Sequence, residues 1–347
     1  MRIALHRALP LAFLLAVVVL PVQRLHAAPR PTSSAPSGQP VVLATITLPP
    51  VPSKITYIYP HPVGVAVDAG RQRAYIADPS TQRVSVIDTS TNQLVAEITE
   101  YMRVPNAIAV NPIIGRAYVT DLVAYRVVVI DLATNGVQGL IYIGAPSYEI
   151  AVQPGSNRAY VTTSANSVKV LDLASGSVIK TISDPGFNEL YGVAVDPSQP
   201  RAYVANRSGN SISVIDTDTN TVIKNVTVGS NPNDVAVNSV THQVYVTNSN
   251  GNTVSVIDTT ADADTVVATI PVGLGPFGVA VNPVLHRAYV TNRADSTVSE
   301  IDTRHNTVIA TIPVDRVPEG IAVDLRTNDE YTANNGPGTV SVIGMSQ

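Results

Sequence analysis

Two carboxylates, Glu149 and Asp234, interrupt a series of small residues. Each stands two residues before an alanine that recurs along the chain, and the other five equivalent positions hold Gly or Ala. The seven aligned residues are Gly64, Ala107, Glu149, Gly192, Asp234, Gly278 and Gly320. Carboxylates that face each other repel unless a cation, a cationic ligand or a proton compensates them. Glu149 and Asp234 are therefore predicted to bind a divalent cation, with calcium as the example, or a positively charged ligand.

Polar and aromatic side chains surround these carboxylates in the sequence. Some precede the same alanines by three residues, and others lie in the connections between repeats. We predict that they form a ligand-binding surface consisting of Tyr59, His61, Tyr101, Arg103, Asn106, Tyr148, Phe187, Tyr191, Asn233, Phe277, Arg316 and Glu319. The alternative is a wide channel filled only by water and polar side chains.

A second set of acids recurs too regularly to be catalytic. One Asp ends the third strand-like segment of six repeats, namely Asp88, Asp131, Asp172, Asp216, Asp258 and Asp302. A residue that serves every repeat is structural, and Asp before a turn caps the backbone with its own side chain. These six residues are predicted to form Asx turns.

Other catalytic signatures are missing from the sequence. It has no nucleophile elbow, phosphate-binding glycine loop or haem-attachment motif, and it contains no Cys. His242 and His286 occupy the same turn of neighbouring repeats, where other repeats carry Gln72 and Gly115. This substitution pattern predicts exposed histidines and disfavours a copper site built from several of them.

The elements that must position these residues are short strands. The stretch from Pro276 to Val314 contains four segments rich in Val, Ile and Thr, separated by turn residues. Its central Tyr recurs at intervals of 42 to 44 residues, as Tyr75, Tyr118, Tyr160, Tyr203, Tyr245, Tyr289 and Tyr331. Four strands per unit at this period predict propeller blades that must pack together to bury their faces.

The repeat resembles that of the YVTN family of seven-bladed β-propellers. The resemblance rests on Ala-Tyr-Val-Thr-Asn at 288–292, followed by Thr-Val-Ser at 297–299 and Val-Ile-Ala-Thr-Ile-Pro-Val at 308–314. WD40 repeats match less well, because no unit has a Gly-His or Trp-Asp pair and the chain has no Trp. The resemblance implies an all-β, seven-bladed propeller, while the family's functions are diverse.

The last repeat supplies only three strand-like segments. A match to the fourth occurs before the first repeat, where Val41–Leu48 aligns with 307–314 and keeps Ala44, Thr45 and Ile46 in register. We therefore predict that the N-terminal strand pairs with the last blade and closes the ring, which removes exposed sheet edges. The propeller would span residues 41–347.

Residues 1–28 read as a secretory signal peptide, with early arginines, an apolar run and small residues at the end. Residues 29–40 are predicted to form a disordered spacer. The chain has 22 basic and 26 acidic side chains, and three arginines but no acids lie in 1–28. The mature chain would thus carry 19 and 26, a net charge of −7, which disfavours nucleic-acid partners.

The sequence favours a periplasmic or extracellular protein that acts in binding or as a scaffold. Its ligand or protein partner is unidentified. We expect the mature chain to be a monomer without a membrane span. An enzyme is the first alternative, namely a lactonase-like hydrolase whose axial carboxylates hold a metal ion. Single-stranded nucleic acid stacking on the aromatic face is the second.

Overall fold

In the computed structural model the chain forms a seven-bladed β-propeller, and the structure describes residues 38–53, 57–260 and 264–346. Seven four-stranded antiparallel sheets form the ring, and a two-stranded hairpin accompanies them. The predicted fold class and blade number are confirmed. The predicted signal peptide over 1–28 and most of the predicted spacer over 29–40 lie outside the described residues. Within the described ranges, no helix has the length and apolar character needed to cross a membrane.

The strands are numbered in chain order, and a 3-10 helix at Pro154–Ser156 joins two of them. The segment before the first blade contains β1 (Pro40–Thr47), β2 (Val51–Pro52) and β3 (Tyr57–Ile58). Blades 1 to 3 contain β4 (Gly64–Asp68), β5 (Arg73–Asp78), β6 (Arg83–Asp88), β7 (Gln93–Ile98), β8 (Pro105–Asn111), β9 (Arg116–Asp121), β10 (Arg126–Asp131), β11 (Val137–Tyr142), β12 (Ser147–Gln153), β13 (Arg158–Thr163), β14 (Ser167–Asp172) and β15 (Ser177–Ile182). Blades 4 to 6 contain β16 (Leu190–Val195), β17 (Arg201–Asn206), β18 (Ser211–Asp216), β19 (Thr221–Thr227), β20 (Pro232–Asn238), β21 (Gln243–Asn248), β22 (Thr253–Asp258), β23 (Thr265–Pro271), β24 (Pro276–Asn282), β25 (Arg287–Asn292), β26 (Thr297–Asp302) and β27 (Thr307–Pro313). Blade 7 contains β28 (Pro318–Asp324), β29 (Asp329–Asn334) and β30 (Thr339–Met345).

Each blade runs from an innermost first strand to a fourth strand at the rim. In blade 6, β24 pairs with β25, β25 with β26 and β26 with β27, all antiparallel. The innermost strands contact one another around the ring, including β28 with β4. The second and third strands are buried, whereas β27 and the other rim strands alternate between exposed and partly buried residues. This is the four-strand unit that the sequence predicts for Pro276–Val314.

The last blade takes its fourth strand from the N-terminal side of the propeller. Strand β1 pairs antiparallel with β30 along its length, and the N–H of Leu48 extends the pairing to the carbonyl of Gly338 at 3.1 Å. The side chains of Ile46 and Leu48 are buried in a cluster that includes residues of blade 1. The predicted closure is confirmed, with the observed strand starting and ending one residue before the predicted Val41–Leu48.

The hydrophobic core is divided among the contacts between blades. In the described residues, seven clusters of buried apolar side chains each draw on two adjacent blades. The repeated tyrosines are buried, and several hydroxyls reach the next blade: Tyr331 bonds Asn92 Oδ1 at 2.8 Å, and Tyr160 bonds Asn220 Oδ1 at 3.0 Å. A buried hydroxyl needs a partner, and in blades 3 and 7 an asparagine of the next blade supplies it.

The recurring aspartates form the predicted Asx turns. The Oδ1 of Asp172, for example, accepts hydrogen bonds from the N–H groups of Ala174 at 2.8 Å and Ser175 at 2.7 Å. These bonds, led by the one from Ser175, hold the pKa of Asp172 below its usual value. Equivalent bonds occur at the other five residues, Asp88, Asp131, Asp216, Asp258 and Asp302. Their structural role is confirmed.

Candidate functional site

An irregularity at the start of the innermost strands positions side chains on the propeller axis. In β24 the pairing with β25 jumps from Pro276 to Val279, so Phe277 and Gly278 have no partner in the ladder. The same shift occurs in β8, β12, β16, β20 and β28. Irregular pairing of this kind re-aims side chains and is common beside functional sites. The skipped residues are those that stand two and three positions before the recurring alanine.

A threonine of the second strand satisfies the backbone groups that this irregularity frees. Thr247 Oγ1 accepts from the N–H of Asp234 at 2.9 Å and donates to the carbonyl of Phe277, in the next blade, at 2.8 Å. Thr162 Oγ1 likewise accepts from the N–H of Glu149 and donates to the carbonyl of Tyr191 in the next blade. One hydroxyl thus fixes an acidic residue and the aromatic residue beside it, which explains the Thr of the repeat.

The side chains at these positions enclose a cavity of about 190 Å³ between the inner strands. Its wall includes six of the residues that the sequence analysis singles out: Asn106, Glu149, Tyr191, Asn233, Asp234 and Phe277. We call this space the axial cavity. It brings together both predicted metal-binding carboxylates and four of the predicted ligand-binding residues.

The two carboxylates have unequal hydrogen-bond support and therefore unequal acidity. Asp234 accepts from the N–H groups of Val235 at 2.8 Å and Val279 at 3.0 Å, whereas the bond to Glu149 comes from Ile150 at 3.2 Å. Burial, with the charge of Asp234 adding to it, raises the pKa of Glu149 to about 8. Burial raises the pKa of Asp234 to about 6 against the opposing effect of its two N–H donors. Both carboxyls are therefore weaker acids than usual, Glu149 more so than Asp234.

Blade 4 lies between the blades that carry Glu149 and Asp234 and has no side chain at the equivalent axial position. Its residue at the equivalent position is Gly192, and a Cβ there would lie 2.6 Å from the carbonyl of Asn233 and 3.1 Å from Asp234 Oδ1. A side chain would collide with the backbone of blade 5. The small residue between the two acidic blades is thus required by the close approach of the inner strands.

Asn233 adds an unused acceptor to the cavity wall. It is 0% exposed, its Nδ2 donates to the carbonyl of Phe277 at 3.2 Å, and its Oδ1 has no hydrogen-bond partner within the described part of the protein. A buried acceptor without a donor is costly unless water or a ligand supplies one. Together with the carboxylates, this oxygen makes the axial cavity rich in acceptors, which suits a ligand that donates hydrogen bonds.

Three aromatic rings pack together at the cavity, and two of them, Tyr191 and Phe277, line it. Tyr148 and Tyr191 stack with centroids 5.3 Å apart and planes at 25°, and Tyr191 meets Phe277 edge-on at 6.0 Å. Mutual contact restricts these rings and gives a fixed apolar wall. Burial, followed by the charges of Glu149 and Glu319, raises the pKa of Tyr191, so its hydroxyl stays protonated and can donate.

Two arginines that the sequence analysis missed cover this wall. The guanidinium carbon of Arg207 lies 5.1 Å from the centroid of Tyr191, and that of Arg293 lies 5.3 Å from the centroid of Phe277. Arg293 also pairs with Glu319 at 2.8 Å. Each arginine follows the last residue of the second strand, and the other five blades carry Pro, Leu, Ser, Ser and Asn there. That exception in blades 4 and 6 is the signal that could have identified them.

The remaining predicted site residues do not line the axial cavity, although Tyr148 stacks on Tyr191 of its wall. Tyr59, Tyr101, Arg103 and Arg316 are exposed, as is His61, whose Nδ1 contacts the carbonyl of Asn335 at 2.9 Å. Glu319 is buried and held by Arg293.

Phe187 needs a correction, because it lies in the core between blades 3 and 4 and packs in a cluster with Leu190 and Ile182. A turn closed by its N–H and the carbonyl of Asp184 at 3.0 Å accompanies this inward position. It is not part of a ligand-binding face.

The described residues can be compared with the ligand sets that metal ions require. Among residues 38–53, 57–260 and 264–346, no three His, Asp or Glu side chains come together closely enough to hold one. Calcium takes six to eight oxygen ligands. Glu149 and Asp234 contribute four carboxylate oxygens to the axial cavity, so a calcium ion there would need further oxygens from amides, carbonyls or water, and the predicted divalent-cation site stays a prediction.

A second group of buried acids lies between blades 6 and 7. Glu300 and Glu330 replace the Val and the Ala or Val of other blades, and both are buried. Arg287 pairs with Glu300 at 3.0 Å. Burial raises the pKa of both carboxyls. These residues do not line the axial cavity, and their effect is on stability.

Comparisons with known proteins agree with the propeller fold and do not identify a function. No protein-family profile matches the chain. A 61-residue segment, 18% of this chain, is 48% identical to the PE-PGRS family protein PE_PGRS18 of Mycobacterium tuberculosis and spans 13% of that protein. A 91-residue segment, 26% of the chain, is 30% identical to the YncE proteins of Salmonella typhi and Salmonella typhimurium and spans a quarter of each.

Among solved structures, hydrazine synthase of Kuenenia stuttgartiensis superimposes with a TM-score of 0.75. The match covers 85% of this chain and 97% of that one at 20% identity. At this identity the similarity shows the propeller fold alone.

Proposed function

We propose that this protein is an exported, non-enzymatic propeller of the YVTN type that binds a small ligand in the axial cavity. The unpartnered Oδ1 of Asn233, beside the carboxylates of Glu149 and Asp234, is the observation that carries the proposal. Partly apolar concave sites with a few convergent polar groups are the usual form of small-molecule sites. The local similarity to YncE and the repeat itself support the family assignment.

The alternatives find less support in the geometry. A lactonase-like hydrolase needs a metal ion, and the carboxylates here do not form a metal-binding group of three within the described residues. Stacking of nucleic-acid bases needs free aromatic faces. Tyr191 already stacks on Tyr148 and carries Arg207 over its ring, so its faces are in use.

Binding can be tested by screening a metabolite library for ligands that raise the melting temperature at pH 7.5. We expect at least one hydrogen-bond donor to raise it by several degrees, because a ligand that binds only the folded state stabilises it. Asp234→Asn and Glu149→Gln should each reduce the rise at a given concentration. Asp218→Asn, which changes an exposed acid on a rim hairpin, is the matched control.

Calorimetry with the best compound decides the outcome. Binding to the wild type and the control, with at least tenfold weaker binding to both cavity variants, supports the site. Equal affinity in all four proteins would move the site elsewhere on the propeller. No binding by any library compound would contradict the proposed function.

Export has its own test. The arginines, apolar run and polar spacer of residues 1–40 predict removal of a signal peptide. Mass spectrometry of the protein from the periplasm or medium of an expressing bacterium should show an N-terminus between Ala27 and Gln39. An intact N-terminus on protein recovered from membranes would contradict it.

A further inference from the structure

The axial cavity opens beside a groove of opposite charge. The groove has a volume of about 490 Å³, and its walls include Arg207, Asn231, Ser249 and Arg293. Phe277 belongs to the walls of both spaces, so they adjoin at this ring. Across one aromatic side chain, the lining changes from carboxylates to guanidinium groups.

From this arrangement we infer that the ligand is a zwitterion of the amino-acid type, with its ammonium group in the axial cavity and its carboxylate in the arginine groove. The inference rests on the proposed ligand-binding function and names the ligand class for the same site. It is carried by three observations: the unpartnered acceptor, the shared aromatic wall and the two arginines.

The ammonium end is recognised by oxygen atoms. Asn233 Oδ1 lacks a donor, and Glu149 accepts a single hydrogen bond of 3.2 Å, which leaves acceptor sites on both side chains. An ammonium group has donors only and carries the charge that two facing carboxylates lack. A carboxylate ligand in the same place would be repelled.

The carboxylate end is recognised in the groove. The side chain of Arg293 is 47% exposed although it pairs with Glu319, and that of Arg207 is 29% exposed and lies 3.9 Å from Glu189. Guanidinium groups bind carboxylates through paired N–H donors. Because both arginines stay partly open to solvent, they can accept a ligand carboxylate without losing their aromatic contacts.

The size of the cavity limits the ligand. A cavity of about 150 Å³ is enough for a molecule the size of benzene. The axial cavity, at about 190 Å³, therefore takes a group slightly larger than benzene, and Phe277 with Val279 and Ile321 provides its apolar contact. A single amino acid fits this description, and a folded protein partner does not.

The test uses the purified protein and the twenty protein amino acids as probes in calorimetry at pH 7.5. For the tightest binder, the matched amine without the carboxyl group and the matched acid without the amino group are titrated next. We expect the amino acid to bind at least tenfold more tightly than either. Arg293→Gln and Arg207→Gln should bring its affinity toward that of the amine, and Asp234→Asn should bring it toward that of the acid. Arg304→Gln, an exposed arginine of a rim hairpin, should leave all three affinities unchanged.

Each contrary result has a distinct meaning. An amine that binds as tightly as the amino acid would overturn the role of the arginines. If no amino acid binds but a library compound does so through Asp234, the inference fails and the proposed function stands. If nothing binds the axial cavity, both fail. Because the two arginines are changed separately, a variant that does not fold still leaves the other to decide.

Discussion

Removal of residues 1–48 should lower the melting temperature by roughly 10 °C or more, or leave the protein aggregated. The truncation deletes β1, the fourth strand of blade 7, and takes away Ile46 and Leu48, which are buried against blade 1. Each lost aliphatic side chain removes about 1.5–3 kcal/mol, and the free edge of β30 loses its hydrogen bonds. Whole domains are stable by only about 5–15 kcal/mol, so this loss is large.

Three controls distinguish the loss of ring closure by β1 from a general effect of shortening the chain. A truncation of residues 1–37 keeps β1 and should melt like the full chain. Leu48→Ala should destabilise by about 2–4 kcal/mol, whereas Leu43→Ala should cost less than about 1 kcal/mol, because Leu48 is 1% and Leu43 47% exposed. A synthetic peptide of residues 38–50 added to the truncated protein should restore part of the lost stability. If the 1–48 truncation melted within a few degrees of the full chain, β1 would be dispensable for closure.

Raising the pH from 5 to 9 should lower the free energy of unfolding of the ligand-free protein by roughly 2–4 kcal/mol. Asp234 and Glu149 have pKa values raised to about 6 and about 8 in the folded state. An acid whose pKa is higher in the folded than in the unfolded state favours folding at low pH, and this contribution disappears as the pH rises through the folded value. The expected change in free energy is smaller than the two pKa shifts alone would give, because water that enters the axial cavity screens the charges.

The sign of this effect distinguishes the buried acids from the turn aspartates. The pKa values of the turn aspartates, such as Asp172, are lowered, so their contribution is complete above about pH 4 and is lost only in more acidic solution. The change in the free energy of unfolding between pH 5 and pH 9 therefore comes from the buried acids and not from the turn aspartates.

Urea unfolding at pH 5, 7 and 9 measures this dependence. The double variant Glu149→Gln, Asp234→Asn should lose most of it and Asp218→Asn none. Glu330→Gln should remove a further part, since burial raises the pKa of Glu330 too. A flat profile in the wild type, or an unchanged slope in the double variant, would contradict the placement of these charges.

The fold could be predicted because the same information is repeated seven times. The spacing of the tyrosines gives the number of blades, and the match between 41–48 and 307–314 gives the closure. Comparison among blades also identified Glu149 and Asp234, since two acids among seven axial positions, five of which hold Gly or Ala, are conspicuous. The small hairpin of β2 and β3 has no counterpart in other blades, and its residues alternate too briefly to indicate strands.

The missed parts of the site depend on contacts that one sequence does not encode. Phe187 lies in a connection beside other predicted site residues, and its inward direction is decided by space between blades 3 and 4. Arg207 and Arg293 lie in short turns, and only the rings beneath them give those turns a role. Glu300 and Glu330 replace apolar residues within the blade, away from the axis, so a comparison of axial positions does not reveal them.

The pairing of β1 with β30 also orders the events of folding. Blades 1 to 6 are each built from one continuous stretch of chain, so their hairpins require only local contacts, which form early and quickly. Blade 7 joins segments from the two ends of the propeller and cannot be completed until β30 is available. The longest-range closure thus comes last, and until then the apolar faces of the first and last blades stay exposed, which makes that stage the one most open to aggregation.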